Sequence, residues 1–599
     1  MNLKFLIIDS VLFVQIGKML RKFLSPVKSA IKALAENETP AWLIFISALF
    51  GLRLFLGRMA DCHFFQMAYH DEALMINYAD LKAHFWTQEL PQKDLLVKDM
   101  GFPIILFFLR ISGIVYTDFL AILWLSAALL TVKLFRDLRA EKNFLLDALI
   151  FAFVLFTPAA FDLNIGTKIY RNAALTPLYF IVLVMTAIIF IRHFLKPRRL
   201  LAFNVIFGLI FTLTYYVKED GIWLLLCLIA ALIICLVKIL LNGEQLLARV
   251  ALLMLPLLIF ACGTVAYKAA NKIFFDVYLI NNRTEGELGN FLKQIYAIKS
   301  DNRNALYWAP TDAIDAAFNA SETLRGNPNL REKVFHNNWF GDITKTPIRG
   351  DFLGWVMLSE LYDSGACKTL AEQENFLSKV NAEIKAAFEA GALQRDERFQ
   401  ITSSMGGLTA REIFAIGEPI LHEYLIHLVP LYGYKPGDFT QNEMYKLVPD
   451  SEPTDAAFKE RMTEKAAKVT NLNFNAENPH GAATNTLIKI IFAAYSVIQI
   501  VLIIAAAFGV IWSLRAIIQR RKNFSLNEYL MLTLALGGLI LSIIYAFAIA
   551  WFSGFLIIGI PAWAQVFPLK YYSSGLIPML TIFEIFGTCL FSRLRLRRF

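Results

Sequence analysis

The sequence is poor in charged residues for its length. Of its 599 residues, 18% are Asp, Glu, Lys or Arg, whereas 57% are hydrophobic, and the mean hydropathy is +0.52. This composition excludes a water-soluble globular protein, because the hydrophobic runs are long enough to cross a bilayer repeatedly. The sequence therefore predicts a mainly α-helical, multi-pass membrane protein built as a helix bundle.

Motifs that mark soluble nucleotide-dependent enzymes are absent as well. The sequence has no glycine-rich phosphate loop, no nucleotide-binding strand–turn–helix and no serine elbow. Its six cysteines show no metal-ligand spacing, and four of them lie inside apolar runs: Cys227, Cys235, Cys262 and Cys589. We therefore expect no use of ATP or of a soluble nucleotide sugar on the cytoplasmic side.

The net charge of +9 does not indicate a nucleic-acid partner. Most Lys and Arg residues stand in short loops beside apolar runs, which is typical of the cytoplasmic loops of membrane proteins. About ten spans, with both termini in the cytoplasm, place these basic loops on the inner side. The predicted spans are residues 41–57, 116–134, 144–160, 173–191, 200–217, 221–241, 250–270, 487–512, 529–551 and 572–590.

The run 102–115 is apolar but short for a crossing. Counting it as a span would put Arg136, Arg139 and Lys142 on the outer side, against the charge bias. We therefore interpret this run as a half-buried surface helix.

The predicted spans divide the chain into four parts. The first is a cytoplasmic or interfacial leader, whose broken apolar run carries Asp9 and Lys18 and favours an amphipathic helix over a signal peptide. A transmembrane core, an extracytoplasmic domain, and a C-terminal transmembrane segment with a basic tail follow. Their bounds are 1–40 for the leader, 41–270 for the core with its first outer loop at 58–101, 271–485 for the outer domain and 486–599 for the last part.

The outer domain has its own helical periodicity. Apolar residues recur at helix spacing from Phe376 to Phe388, and Gly391 follows as a residue suited to end a helix. Residues 351–361 and 411–428 show helical patterns too, whereas strand-like alternation is scarce. The sequence predicts a mostly helical extracytoplasmic domain.

Ionisable residues of both signs gather beside spans that are far apart in the sequence. Charges at membrane depth are costly, so several that share one face indicate a polar site. A mixture of carboxylates and cations suits a reaction in which a base takes a proton while cations hold a departing phosphate. The four clusters are His70, Asp71 and Glu72 with Lys98 and Asp99; Asp162 with Lys168 and Arg171; Lys218, Glu219 and Asp220; and Lys570.

Each cluster has a purely structural alternative. Acidic residues at 71 and 72 favour the first turn of a helix through its dipole. Lys168 and Arg171 are also typical of side chains that extend to the membrane surface, and Lys570 of an interfacial anchor. The tract 218–220 is typical of a helix end at the interface, with Trp223 in the aromatic belt.

Several short motifs resemble the GT-C class of membrane glycosyltransferases, which includes protein O-mannosyltransferases and lipid A aminoarabinose transferases. The first outer loop opens with the acidic pair Asp71-Glu72, and Lys98 precedes the turn Gly101-Phe102-Pro103. The tract Lys218-Glu219-Asp220-Gly221-Ile222-Trp223 is similar to one in uncharacterised bacterial members. The resemblance covers the membrane part, about two-thirds of the chain, and does not extend to the outer domain.

The resemblance implies a bacterial inner-membrane glycosyltransferase whose active site faces the periplasm. It would move a sugar from a polyprenyl-phosphate donor to an extracytoplasmic glycan, lipid or protein acceptor. Asp71 is expected as general base, with Glu72 beside it. Phosphate contacts are expected from Lys98, Arg171, Lys218 and Lys570, while Glu219 and Asp220 would orient the acceptor or hold a divalent metal such as Mg²⁺ or Mn²⁺.

Two other functions stay open at this point. A transporter or flippase of a lipid-linked glycan would use the same charges along its substrate path, although such proteins tend to show matching halves. A non-enzymatic envelope scaffold would depend on the outer domain more than on the charged clusters.

Overall fold

The computed structural model describes most of the chain after the leader. The described residues are 40–60, 62–64, 71–80, 90–139, 143–192, 197–242, 246–400, 405–436, 456–474, 481–519, 524–557 and 569–596. The predicted leader up to residue 39, His70, and the end of the basic tail from residue 597 lie outside them.

The N-terminal half is a succession of helices. In chain order they are α1 (Pro40–Met59), α2 (Asp71–Asp80), α3 (Gly101–Ser112), α4 (Tyr116–Leu138), α5 (Phe144–Leu155), α6 (Arg171–Arg192), α7 (Pro197–Tyr215), α8 (Ile222–Asn242) and α9 (Leu246–Phe275). Helix α4 packs against α5 and α6, and α7 packs along α9.

The region between α9 and the last long helices is also mainly helical. It contains α10 (Gly286–Ile295), α11 (Thr311–Ala320), α12 (Glu322–Arg325), α13 (Pro328–Phe335), α14 (Phe352–Asp363), α15 (Leu370–Glu389), α16 (Ala410–Ala415), α17 (Gly417–Leu428), α18 (Pro430–Gly433) and α19 (Ala456–Thr470). Two short antiparallel strands, β1 (His336–Asn337) and β2 (Gly341–Asp342), pair after α13.

The chain ends in three long helices, α20 (Gly481–Ile518), α21 (Leu526–Ile557) and α22 (Leu576–Leu596). Helix α22 packs against both of the others. A Cβ atom at Gly587 would lie 2.6 Å from the Cβ of Ala506, so glycine is required for this close contact between α22 and α20. Small residues at such positions are typical of helix packing in membranes.

Seven helices of the described residues are long and apolar enough to cross a membrane. They are α1, α4, α6, α8, α9, α20 and α21, whereas α3, α5, α7 and α22 are shorter apolar helices. The structure is therefore mainly helical and compatible with a multi-pass membrane protein, as predicted. The predicted total of ten spans would also require α5, α7 and α22 to cross, and it stays a prediction.

Helix α5 ends earlier than the predicted span 144–160. The helix stops at Leu155, and Thr157 has a non-helical backbone conformation, with φ −53° and ψ 132°, immediately before Pro158. A proline disfavours the helical conformation of the residue that precedes it, so this end is set locally.

The helical patterns predicted within the outer domain lie on helices in the structure. The pattern from Phe376 to Phe388 lies within α15, and Gly391 follows in the left-handed conformation at φ +73°. The pattern over 351–361 lies on α14, and the pattern over 411–428 lies on α16 and α17, which are separated by one turn residue, Ile416. Pro419 explains the interruption, because in a continuous helix its ring would clash with the backbone carbonyl of Ala415, the last residue of α16.

Residues 288–416 of the predicted outer domain share a hydrophobic core, whereas buried residues of α17–α19 such as Ile426 and Met462 pack into the core of the membrane helices. The buried side chains of the shared core include Leu288, Phe291 and Trp308, and this core extends to Val97 before α3 and to Trp551 of α21. The indole of Trp551 also donates a 3.0 Å hydrogen bond to the Gly406 carbonyl. These contacts fix the outer domain against the loop that carries Lys98.

Candidate functional site

Asp71 is the first residue of α2 and the meeting point of the site. Its Oδ2 lies 2.7 Å from the Lys98 ammonium, 2.8 Å from the Tyr170 hydroxyl and 3.5 Å from Arg171 Nη2. The side chain remains 27% exposed, whereas those of Lys98 and Arg171 are 4% and 5% exposed. An accessible carboxylate between two buried cations is suited to act as a base beside a site that binds an anion.

The loop before α3 brings Lys98 to Asp71. Burial lowers the pKa of Lys98, while the nearby Asp71 carboxylate acts in the opposite direction. Gly101 permits this arrangement, since its N–H donates to the Tyr216 carbonyl at 2.7 Å and a Cβ there would overlap the Tyr216 backbone. The glycine after Lys98 thereby joins this loop to the one that carries Glu219.

Arg171 begins α6 and connects Asp71 to the acidic tract of the next loop. It forms an ion pair with Glu219 through Nη1 and donates from Nη2 to the Tyr170 hydroxyl at 2.5 Å. Burial opposes the charge of Glu219, but Arg171, then Lys98 and Arg283, outweigh it and lower its pKa to about 2. Glu219 is therefore an anion at neutral pH, held among cations.

The rest of the tract 218–220 faces another partner set. Lys218 forms an ion pair with Asp220 at 2.8 Å, and the Tyr179 hydroxyl donates to Asp220 at 2.7 Å. The Tyr545 hydroxyl lies 3.2 Å from the same carboxylate. These contacts orient Asp220 beside the Glu219–Arg171 pair.

Glu72 does not share the surroundings of Asp71. It is 1% exposed and forms a buried ion pair with Lys168. Successive residues of a helix point about 100° apart, so neighbours in an acidic pair face different environments. Glu72 therefore anchors the start of α2 to the loop before α6.

Lys570 lies in a separate buried pair. Its ammonium is 3.0 Å from Asp162 Oδ2 and donates to the Gly433 carbonyl at 2.8 Å. Asp162 is fully buried and also accepts the backbone N–H groups of Asn164 and Lys435, each at 2.9 Å. This network joins the loop before α6 to the end of α18.

The outer domain contributes residues to the site that the sequence did not indicate. Asn281 donates to Asp99 at 3.0 Å, and Arg283 pairs with Asp351 at 3.1 Å. The Arg283 guanidinium and the Lys98 ammonium lie 4.7 and 5.0 Å from the ring centre of one tryptophan, Trp355. Because the packing of the outer domain brings these residues to the site, no local sequence motif marks them.

Tyr170 was also missed at the level of sequence. The tyrosine precedes Arg171, and its ring stacks on Tyr571 with centroids 5.2 Å apart. An isolated aromatic residue beside a membrane helix reads as an interface anchor. Only the fold brings its hydroxyl to Asp71.

Glu219 and Asp220 are predicted to orient the acceptor or to hold a divalent metal, and that metal stays a prediction. Mg²⁺ and Ca²⁺ need several oxygen ligands that converge on one point. Within the described part of the chain no group of three or more His, Cys, Asp or Glu residues is arranged to hold a metal ion. Glu72, Glu219 and Asp220 instead form ion pairs with Lys168, Arg171 and Lys218.

Comparisons with protein-family models, with curated proteins and with solved structures give no match. The geometry of the site and the sequence motifs are therefore the observations that bear on function.

Proposed function

We propose that this protein is a GT-C type membrane glycosyltransferase, which moves a sugar from a polyprenyl-phosphate donor to an extracytoplasmic acceptor. The contact between the accessible carboxylate of Asp71 and the buried ammonium of Lys98 carries the proposal. It brings a proton acceptor and a phosphate-binding cation to the same point, as acid–base chemistry next to a leaving phosphate requires.

In the proposed reaction Asp71 removes the proton from an acceptor hydroxyl. The acceptor oxygen attacks the anomeric carbon of the sugar from the side opposite the phosphate. A new carbon–oxygen bond forms while the bond to the phosphate oxygen breaks, and the configuration is inverted. The phosphate leaves with the electron pair and gains one negative charge, which Lys98 and Arg171 stabilise.

Asp71 and the donor phosphate would compete for the same cations. Lys98 and Arg171 both approach Oδ2 of Asp71, at 2.7 and 3.5 Å. A phosphate that binds Lys98 and Arg171 weakens these contacts, while Tyr170 can still hold the carboxylate in position. Donor binding would thereby prepare Asp71 to accept a proton.

The remaining polar residues take supporting roles in this proposal. Lys218 would add positive charge near the phosphate, and Glu219 and Asp220 would orient the acceptor. Glu72 and Lys570 stabilise the architecture through their buried partners, Lys168 and Asp162. No step of the proposed reaction uses a metal ion.

The proposal includes an orientation in the membrane. About ten spans with both termini in the cytoplasm would place Asp71, the tract 218–220 and the outer domain on the extracytoplasmic side. In a bacterial inner membrane this is the periplasmic side, where lipid-linked sugars meet glycan, lipid or protein acceptors.

Sugar transfer by the purified protein tests the proposal. Wild type and Asp71→Asn are incubated with a panel of labelled polyprenyl-phosphate sugars and an envelope extract as acceptor. We expect label in product for the wild type only, with donor binding retained by Asp71→Asn because asparagine preserves the shape of the side chain. Full activity of Asp71→Asn would remove Asp71 from the mechanism. If neither protein transfers sugar but the labelled lipid moves between the leaflets of liposomes that contain the protein, the protein is a transporter.

A further inference from the structure

Two cations from different parts of the chain share one aromatic ring at the edge of the site. Lys98 belongs to the loop before α3, and Arg283 belongs to the outer domain, yet both lie within 5.0 Å of the Trp355 ring centre. Cations favour the face of an indole, but two like charges brought close together also repel. Such a pair is favourable when negative charge lies nearby.

The negative charge at this place comes from three carboxylates. Asp71 contacts Lys98, and Asp351 contacts Arg283. Burial opposes the charge of Arg283, but Asp351, Glu219 and Asp71 outweigh it and raise its pKa. The guanidinium therefore interacts with the same carboxylates as Lys98 and Arg171.

Hydrogen bonds on both sides of Arg283 hold its backbone in this position. The Asn281 side chain accepts from the N–H groups of Arg283 and Thr284 at 3.0 and 3.2 Å, and the N–H of Asn282 donates to the Leu96 carbonyl at 2.7 Å. Leu96 itself has a positive φ of 57°, a conformation that is costly for leucine. The segment 281–284 is thus docked on the loop that presents Lys98.

Hydrogen-bonding capacity at the site remains unused. The buried Nε atoms of Arg283 and Arg171 and the Oε1 atom of Glu219 have no hydrogen-bond partner among the described residues. Buried polar groups normally find partners, so the two Nε–H donors indicate a ligand with acceptor oxygens, whereas the Glu219 oxygen can accept from a hydroxyl group. Guanidinium groups are particularly suited to phosphate, which they bind through two parallel hydrogen bonds.

We propose that Arg283 is a further phosphate-binding residue, which completes the donor site together with Lys98 and Arg171. The inference rests on the proposed function, because it takes the phosphate to be that of the lipid-linked donor. It assigns the outer domain a direct part in the active site, as the source of one of three phosphate-binding cations.

Binding of a labelled polyprenyl monophosphate to the full-length protein in detergent tests this inference. Unphosphorylated polyprenol and inorganic phosphate serve as competitors that each carry one half of the ligand. We expect Arg283→Gln to weaken binding of the polyprenyl monophosphate by about tenfold or more, since hydrogen bonds to charged groups are the strong ones. Arg283→Lys should recover part of this loss, and polyprenol binding should stay unchanged.

Arg331→Gln is the matched control. Arg331 lies in the same domain on α13, forms an ion pair with Asp315 and lies 5.0 Å from the Phe335 ring centre. Like Arg283, it therefore has an aspartate and an aromatic ring as partners. It does not contact Lys98, Trp355 or Asp71. This variant should bind the polyprenyl monophosphate like the wild type.

Three results would overturn the inference. Wild-type affinity of Arg283→Gln for the polyprenyl monophosphate excludes a phosphate contact. Arg283 has a structural role if Arg283→Gln loses polyprenol binding as much as polyprenyl monophosphate binding, and if both Arg283→Gln and Arg283→Lys have a lower thermal midpoint than the wild type. Competition by inorganic phosphate at concentrations as low as those of the lipid would indicate a general anion site.

The outcome is separate from that of the proposed function. If binding of the phosphorylated lipid depends on Arg283 but no sugar is transferred, the phosphate site stands and the glycosyltransferase proposal fails. If transfer depends on Asp71 while Arg283→Gln keeps its affinity, the reaction stands and the role of Arg283 falls.

Discussion

The Tyr170 hydroxyl donates a 2.8 Å hydrogen bond to the Oδ2 atom of Asp71 that also contacts the Lys98 ammonium. The same hydroxyl accepts a hydrogen bond from Arg171 Nη2 at 2.5 Å. Tyr170 therefore links the proposed base to a proposed phosphate-binding cation. Its ring is fixed by stacking on Tyr571, so the hydroxyl has little freedom to move away.

Replacing Tyr170 by phenylalanine should slow sugar transfer at saturating donor. The ring would remain stacked, but Asp71 would lose a hydrogen bond that is worth about 1.5–3 kcal/mol when one partner is charged. We expect kcat to fall by about tenfold or more, with a smaller change in the KM for the donor. Steady-state kinetics of the purified variant measures both quantities.

Tyr495→Phe provides the control for this prediction. Tyr495 is likewise buried and stacked, on Phe153, and its hydroxyl donates to the Phe153 carbonyl at 3.1 Å, in a different part of the bundle. It should retain wild-type kcat. An unchanged kcat of Tyr170→Phe would show that Tyr170 does not position the base.

Local sequence patterns predicted several elements of the fold. Apolar length predicted the long helices, and the periodicity from Phe376 to Phe388 predicted α15, because both signals depend on neighbouring residues. The early end of α5 within the predicted span 144–160 and the one-residue interruption between α16 and α17 were not predicted. Both depend on prolines, Pro158 and Pro419, whose effect was masked by the apolar or helical pattern around them.

The composition of the candidate site was predictable only in part. Charge beside predicted spans singled out Asp71, Lys98, Arg171 and Glu219, which the structure brings together. The same signal also selected Lys570, which the fold pairs with Asp162 instead. Tyr170, Arg283 and Trp355 carry no such signal, since their place in the site arises from contacts between distant segments.

Lys570 and Asp162 should contribute to stability rather than to donor binding. Both side chains are buried, and removing one partner of a buried ion pair costs about 3–5 kcal/mol because the other charge is left uncompensated. We expect Lys570→Met to lower the thermal midpoint in detergent, and the double variant with Asp162→Asn to regain part of the loss. The fraction that folds should keep its donor KM.

Lys98→Met is the comparison for Lys570→Met. It removes the same charge at the proposed phosphate site and should raise the donor KM. If Lys570→Met also raises the donor KM while its thermal midpoint is unchanged, Lys570 is a phosphate contact, as the sequence predicted.

Cysteine labelling in cells tests the proposed orientation. In a background without the six native cysteines, Lys385→Cys reports on the outer domain and Gln519→Cys on the end of α20; both positions are exposed. A membrane-impermeant maleimide should label Lys385→Cys in intact spheroplasts and Gln519→Cys only after lysis. The opposite pattern would invert the topology and place Asp71 in the cytoplasm, which would contradict the proposed acceptor side.

Asp99 should make stability depend on pH in the range where most carboxylates are already ionised. Burial raises its pKa from 3.8 to about 7, with a further contribution from Glu219, while the Asn281 hydrogen bond acts in the opposite direction. The folded protein therefore binds a proton that the unfolded chain has released. The stabilisation is complete below the unfolded pKa of 3.8 and is lost as the pH rises through about 7.

Asp99→Asn should flatten this dependence. Asparagine resembles the protonated acid and can still accept the hydrogen bond from Asn281, so the variant has no proton to lose at this position. Thermal midpoints between pH 4 and pH 8 should fall less steeply for Asp99→Asn than for the wild type and for the exposed control Asp301→Asn. Glu374, whose pKa burial also raises to about 7, leaves a residual slope in all three proteins, so the difference between the curves is the readout. Parallel curves would mean that Asp99 carries no excess proton in the folded state, and that the loop beside Lys98 holds one more negative charge at neutral pH.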